Sequence, residues 1–309
     1  MPRTRAKTKK VALSSTASES RRGFFPFLQY ASVVGVHVIL VGFTALYLPQ
    51  STLLFGPLPV RKTDRPQSEF MEVLTARPAV TAAWTLAGLC VLQVWWGTWV
   101  RKWHFEQQAN GTSDEIKISR AKVNGVWFAR LREAVGFTLF ATAVTHVVII
   151  LFGAPLLRRV LCPALSSMHA PEHLYSHHLQ TGLLASVVAI LTAFVPAFVF
   201  GYPSLASDAT ALLNRLNWIR LFAELSPRNP VERVVVYPAV GAVVGAWVGA
   251  FPIPLDWDRP WQAWPLTPLY GSLAGYIIAS LAALAVNSLT WLAQEQLHSV
   301  QPSTKYKSS

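Results

Sequence analysis

Six stretches of the chain, 27–48, 79–100, 134–154, 179–200, 234–255 and 266–292, contain no Asp, Glu, Lys or Arg and are dominated by aliphatic and aromatic residues. Each is at least 21 residues long, and about 20 apolar residues in helical form cross the roughly 30 Å hydrocarbon core of a bilayer. The runs are continuous rather than alternating, which excludes the strands of a membrane β-barrel. Inside a bilayer the backbone must satisfy its own N–H and C=O groups, and a helix does so. The pattern therefore predicts an all-α, polytopic membrane protein. It has a tail over 1–26, a six-helix membrane domain over 27–292 with spans at the stretches named, and a second tail over 293–309.

Between the spans, 208–225 places Leu212, Leu213, Leu216, Ile219, Phe222 and Leu225 at three- and four-residue steps. Asp208 is positioned to cap this helix, and Ser226-Pro227 to stop it. It reads as an amphipathic helix in the membrane interface, with packing on a soluble partner as the alternative. A weaker version spans 116–131, with Val123, Trp127 and Leu131 spaced by four. Trp95, Trp96, Trp99 and Trp103 crowd the end of the second span, where tryptophan commonly anchors a helix at the water boundary.

Charge adds direction. Only 14% of the 309 residues are charged, against about 25% in a soluble domain. That shortfall excludes a soluble enzyme domain, a disordered tail protein and a DNA-binding module. Of the 27 Lys and Arg, 20 fall in the two tails and in the second and fourth loops, and 7 in the remaining loops. The positive-inside rule then puts both termini in the cytosol. The net charge of +12 is mainly this topology signal plus attraction to anionic lipid, and no nucleic-acid partner is expected. The first span is too long for a signal-peptide core and is expected to be retained. Asn110-Gly111-Thr112 is a glycosylation sequon in a loop assigned to the cytosol, so it should be unmodified. Lys305 and Lys307 stand fifth and third from the end. They match the pattern of an endoplasmic reticulum retrieval signal on a cytosolic tail, although lysines in a polar tail also arise by chance. Cys90 and Cys162 imply no disulfide framework.

Candidate chemistry is sparse. His169, His173, His177 and His178 cluster with Glu172 after the third span. His173 and His177 would share a helix face, but a zinc site needs further rigid ligands, and solvated or stacked histidines fit better. No metal or cofactor is expected. Within the spans, His37 and His146 are ionisable; no span supplies a carboxylate for a proton relay. A structural hydrogen bond, for instance through Gln93 or Asn287, is the favoured reading. Metalloprotease, nucleophile-elbow and phosphate-loop motifs are lacking. Asp256 and Asp258 beside Arg259 read as a local ion pair rather than acid–base machinery.

The informative stretch is 241–283. Gly241, Gly245 and Gly249 form a four-residue row on the fifth span, and Ala242, Ala246 and Ala250 form a second beside it. Gly271, Gly275, Ala279 and Ala283 repeat the theme on the sixth. In lipid, helices associate through close packing, and small residues let backbones approach. The joining loop, FPIPLDWDRPWQAWPLTP, sets five prolines among Trp257, Trp261 and Trp264. Proline stiffens it and tryptophan seats it at the membrane surface. The rows serve either an internally packed hairpin or a rigid docking element for another membrane protein.

Residues 245–265, GAWVGAFPIPLDWDRPWQAWP, closely resemble the signature of the PIG-F family of glycosylphosphatidylinositol (GPI) anchor biosynthesis, most of all its fungal members. The preceding SPRNPVERVVVYPAVGAVV and the glycine-bearing last span extend the likeness to about the final third of the chain. The earlier spans match in number and hydrophobic character alone. The resemblance implies a protein of the endoplasmic reticulum membrane that stabilises the large GPI ethanolamine-phosphate transferases PIG-O and PIG-G. Those transferases move phosphoethanolamine from phosphatidylethanolamine onto mannose of the glycolipid, using a lumenal metal-dependent domain. It implies interface or structural roles for Trp247, Asp256, Trp257, Arg259, Pro260, Trp261, Gln262 and Trp264. It supplies no nucleophile or metal ligand. The positive-inside topology puts the signature loop on the lumenal side.

Three classes of function follow. The favoured one is a non-catalytic accessory subunit whose partners are GPI ethanolamine-phosphate transferase subunits and membrane lipid. The alternative is a membrane enzyme or lipid-presenting component of the same pathway, with lipid near His37 or His146. A small transporter ranks last, because no internal repeat is evident.

Overall fold

A computed structural model of the chain describes residues 26–56, 67–108, 125–154, 172–255 and 257–304, with backbone alone at 55, 108, 172–177 and 298–304. Every regular element among them is helical. Helix α1 is Phe27–Leu46, followed by a 3₁₀ segment Leu48–Phe55. The short α2 (Glu69–Ala76) leads into α3 (Pro78–Gln108), and α4 is Trp127–Leu151. α5 (Glu172–Ala189) continues through a π-helical turn, Ile190–Phe194, into α6 (Val195–Phe200). α7 (Ala209–Trp218) ends in a second π turn, Ile219–Ala223; α8 is Pro230–Ala250 and α9 is Leu266–Thr304. Among the described residues six helices are long and apolar enough to cross a membrane: Phe27–Leu54, Pro78–Gln107, Trp127–Leu151, His178–Phe200, Pro230–Ala250 and Leu266–Leu297. The all-α, six-helix class expected from the pattern is therefore what the chain forms.

The α5–α6 rod is central, with 78% of its most apolar stretch buried, and α4 is peripheral at 11%. Around that rod, α3, α8 and α9 supply Leu89, Trp96, Trp103, Val234, Leu269 and Leu273 to one continuous apolar core. The π turn precedes Pro196, which has no N–H to return to the preceding turn. Gly201 then ends the rod at φ 87°, a left-handed backbone that only glycine adopts without strain.

Local chemistry sets the helix ends more tightly than hydrophobicity does. α8 begins at Pro230, four residues before the charge-free run at 234, because Asn229 caps it by accepting from the Glu232 N–H at 2.8 Å. α4 begins at Trp127, so Trp127 and Leu131 belong to a spanning helix rather than to a separate amphipathic one. The rest of that proposed helix, 116–124, lies outside the described residues. The 208–225 helix forms as read, with the Asp208 carboxylate accepting from the Ala211 N–H at 3.2 Å. That bond and one from the Thr210 hydroxyl hold the Asp208 carboxyl below its ordinary range.

The tryptophan belt needs correction. Trp96 and Trp103 are buried, edge to face at 6.0 Å, and Trp103 also meets Tyr30 edge-on at 5.7 Å. They fill the core between α1 and α3 rather than float at a water boundary. Trp99 lies at the margin beneath Lys102, whose ammonium is 4.9 Å from the ring centroid.

Candidate functional site

The two small-residue rows face each other. A Cβ placed on Gly245 would strike the Gly271 carbonyl oxygen and come within 3.0 Å of the Gly275 Cα. One placed on Gly275 would strike the Gly241 oxygen, and one on Gly249 the Thr267 oxygen. The partners step four residues down α8 and four up α9, so the helices run antiparallel with backbone against backbone. Gly241 also sits against Ala279, and Ala242 and Ala283 are buried nearby. The rows thus meet inside the hairpin. Close approach of this kind yields dispersion along the whole seam and holds the two helices in one register.

The bridge between them is tied by one side chain. Gln262 donates from Nε2 to the carbonyls of Pro252 and Leu255, both at 2.7 Å, and accepts the Arg259 N–H at 2.9 Å. Pro260 opens the 3₁₀ turn that carries Gln262. Trp261 meets Trp257 edge-on at 5.8 Å, and Trp257 is exposed. Trp264 is partly buried and donates from Nε1 to Thr181 on α5 at 3.1 Å, fastening the bridge to the central rod. The turn also packs against α2. Asp256 lies outside the described residues, and with it the ion pair proposed beside Arg259.

α9 is pinned at further depths. The Tyr270 hydroxyl donates to the Ala45 carbonyl at 3.1 Å, and the Gln93 amide on α3 pairs with the Tyr276 hydroxyl at 3.2 Å. Asn287 accepts from Arg233 at 3.0 Å and donates to the Pro230 carbonyl at 3.2 Å and the Tyr30 hydroxyl at 3.4 Å. Gln93 and Asn287 are therefore engaged with tyrosines and Arg233, not with histidine. His37 is buried with its ring stacked on Trp96 at 4.5 Å and edge-on to Tyr276 at 5.7 Å. Among the described residues neither of its nitrogens has a hydrogen-bond partner. His146 faces Gly182 on α5. Among the described residues no group of three or more His, Cys, Asp or Glu is placed to hold a metal. The side chains of His173 and His177 lie outside the described residues, as do His169, Cys162, the sequon and the two tail lysines.

One cluster escaped sequence reasoning. Arg220, on the π turn after α7, pairs with Glu232 in the first turn of α8 through two bonds of 2.7 and 2.9 Å. The same guanidinium donates to Asn217 at 2.7 Å and to the Ser226 carbonyl at 2.8 Å. Glu232 also accepts the Arg228 N–H at 2.6 Å. The hydrogen bonds that Arg220 donates to Glu232 hold its guanidinium further above its already high range. The available signal was Glu232 itself, a carboxylate beside an otherwise apolar span.

On the hairpin, Ile278, Leu281, Leu289 and Leu292 of α9 are exposed, and so is the outer face of α8. Val243, Val244, Trp247, Val248 and Phe251 are exposed, and Trp247 meets Phe251 edge-on at 4.8 Å. Together with Trp257 they make an apolar, aromatic surface that runs from mid-span to the bridge.

Comparison with known proteins places this region. Residues 170–284 match the GPI biosynthesis protein family Pig-F. A mouse (Mus musculus) protein named "GPI ethanolamine phosphate transferase, stabilizing subunit" is 30% identical over 154 residues, 50% of this chain and 55% of its own length. The human protein of the same name is 31% identical over 147 residues, 48% of this chain and 52% of its own. "Glycosylphosphatidylinositol anchor biosynthesis protein 11" of Pyricularia oryzae is 38% identical over 143 residues, 46% of this chain and 42% of its own. The chain spans about half the length of the curated relatives it matches. No solved structure matches it. The resemblance read from 245–265 is borne out: residues 170–284, which carry α5 to α9 as far as Leu284, match the GPI biosynthesis protein family Pig-F.

Proposed function

We propose that this protein is a non-catalytic accessory subunit that stabilises a GPI ethanolamine-phosphate transferase of the PIG-O or PIG-G type in the endoplasmic reticulum membrane. Both termini face the cytosol in this reading, the 251–265 bridge faces the lumen, and Lys305 and Lys307 act as the retrieval signal. The mammalian relatives are named as stabilizing subunits of a GPI ethanolamine phosphate transferase, and the matched segment contains α8, the bridge and α9 as far as Leu284. The observation that carries the reading is the outer face of α8. Gly241, Gly245, Gly249, Gly271 and Gly275 are consumed within the hairpin, which makes it stiff and leaves Trp247, Phe251 and Trp257 uncovered on a fixed frame. A rigid aromatic surface binds a second membrane helix at low entropic cost.

In this proposal the glycines, Gln262 and Trp264 are structural, Arg259 and Pro260 shape the turn, and Trp247, Trp257 and Trp261 make contact. The test is recovery of the transferase with this chain from detergent extracts, and transferase half-life in cells, for Trp247→Ala and Trp257→Ala together. Both readouts should fall while the variant's own abundance holds. Wild-type recovery and half-life would remove this face as the docking surface. Phosphoethanolamine turnover by the purified chain alone would establish an enzyme instead.

A further inference from the structure

α7 presents its apolar side outward. Ala211, Trp218 and Leu221 turn toward the bundle, and Trp218 donates from Nε1 to the Gly201 carbonyl at 2.7 Å. Leu212, Leu213, Leu216 and Ile219 occupy the opposite arc, about 120° wide on a helical wheel, and all four are at least half exposed. Leu205, in the segment leading to the helix, is 92% exposed. A helix packed on a water-exposed protein shows the reverse arrangement. α7 also lies between two spans, the rod that ends at Phe200 and the one that begins at Pro230. Its C-terminal end is tied to both, through Trp218 to Gly201 on one side and through Arg220 to Glu232 on the other. The exposed row thus belongs to a helix placed where two membrane-spanning helices end and begin.

We propose that α7 is an in-plane foot whose leucine row is seated in the bilayer interface, with lipid acyl chains as its partner. The Arg220–Glu232 pair makes that seat a depth gauge for the α8–α9 hairpin, because the helix floating at the interface grips the first turn of α8. Lipid rather than a soluble protein is the occupant, since the row is carried by a helix tied to the end of one spanning helix and the start of the next. The inference stands apart from the transferase reading and needs no partner chain.

The test uses the full chain in phosphatidylcholine vesicles, with Cys90→Ala and Cys162→Ser as background. Nitroxide labels go on Leu213→Cys, Leu216→Cys, Thr210→Cys and Glu224→Cys, all exposed positions in the native chain. Molecular oxygen concentrates in hydrocarbon and a nickel chelate in water. The ratio of oxygen to nickel collision rates should be several-fold higher at 213 and 216 than at 210 and 224. Nickel reaching 213 and 216 as readily as 210 would put the row in water and overturn the proposal. Exclusion of both reagents from 213 and 216 would mean that protein covers the row, which overturns it equally. Glu232→Gln, read with the same labels, should leave the ratio at 213 and 216 high, because the leucines and not the ion pair hold the foot in lipid.

Discussion

Glycines on the spanning helices α8 and α9 differ from those on α1 and α4. On α8 and α9 an added Cβ at Gly241, Gly245, Gly249, Gly271 or Gly275 collides with backbone of the facing helix. On α1 and α4, a Cβ on Gly35, Gly42 or Gly136 meets nothing within 4 Å. All eight sit within membrane-spanning helices. What separates them is spacing and a facing partner: steps of four keep a row on one side of a helix, and α9 carries a complementary row at the same depths. Gly35 and Gly42 are seven apart with the bulky Ile39 between them, and nothing faces them. A small residue in a span thus has no fixed meaning until a second helix supplies the wall.

Gly245→Leu gives the largest contrast. Backbone cannot move aside as a side chain can, so the hairpin must splay, and Gly245→Ala already costs about 1–3 kcal/mol by overpacking. Leu at this position should abolish the folded monomer, read as loss of the monodisperse peak in detergent and rapid turnover in cells. Normal thermal stability for Gly245→Leu would break the comparison, because the seam would then tolerate what its geometry forbids.

Glu232→Gln probes how the hairpin is held at its far end. It removes the charge that faces Arg220 and weakens the bond to the Arg228 N–H. Hydrogen bonds to charged groups contribute about 1.5–3 kcal/mol each in partly buried settings, and removal leaves Arg220 short of its counter-charge. The expected result is a lower unfolding midpoint, smaller in effect than Gly245→Leu. Arg220→Lys by itself should lower the midpoint less, because it keeps the charge pair but not the two-pronged geometry. An unchanged midpoint would mean that the glycine seam alone fixes α8.

Trp247→Ala should have a smaller effect still on the chain by itself. Its ring is 60% exposed and touches chiefly Phe251, so the unfolding midpoint of the isolated protein should scarcely move. Its effect belongs to the partner assay, and a large loss of intrinsic stability would make this tryptophan part of the hairpin's own packing.

These contrasts explain what was legible in the sequence. The spans could be read because charge is costly in hydrocarbon, and the Asp208 cap because capping is local chemistry. The inward direction of the glycine rows could not be read. In lipid both faces of a helix are apolar, so hydrophobicity no longer marks the core side. The same blindness affected Trp96 and Trp103, which look like boundary anchors by position but close over Tyr30 and His37. It also affected the start of α8, since Glu232 and Arg233 read as loop charges until Arg220 and Asn287 are found beside them. A partner far along the chain is what sequence spacing does not reveal, and each of these misreadings is a missing partner of that kind.

The smallest expected effect is the most discriminating. Gly35→Ala adds a methyl to an open surface of α1 and replaces the residue that loses most backbone freedom in a helix. Where space permits, such a change is neutral or stabilises by about 0.4–1 kcal/mol. The midpoint of the purified chain should therefore hold or rise by a few degrees, opposite in sign to Gly245→Ala, although the chemical change is identical. Should Gly35→Ala leave the isolated chain intact yet reduce transferase recovery, α1 would join α8 as docking surface, the open glycine serving a wall that another protein brings. Should it destabilise the isolated chain as Gly245→Ala does, facing backbone would not be what distinguishes the two kinds of glycine, and the account of the hairpin would lose its basis.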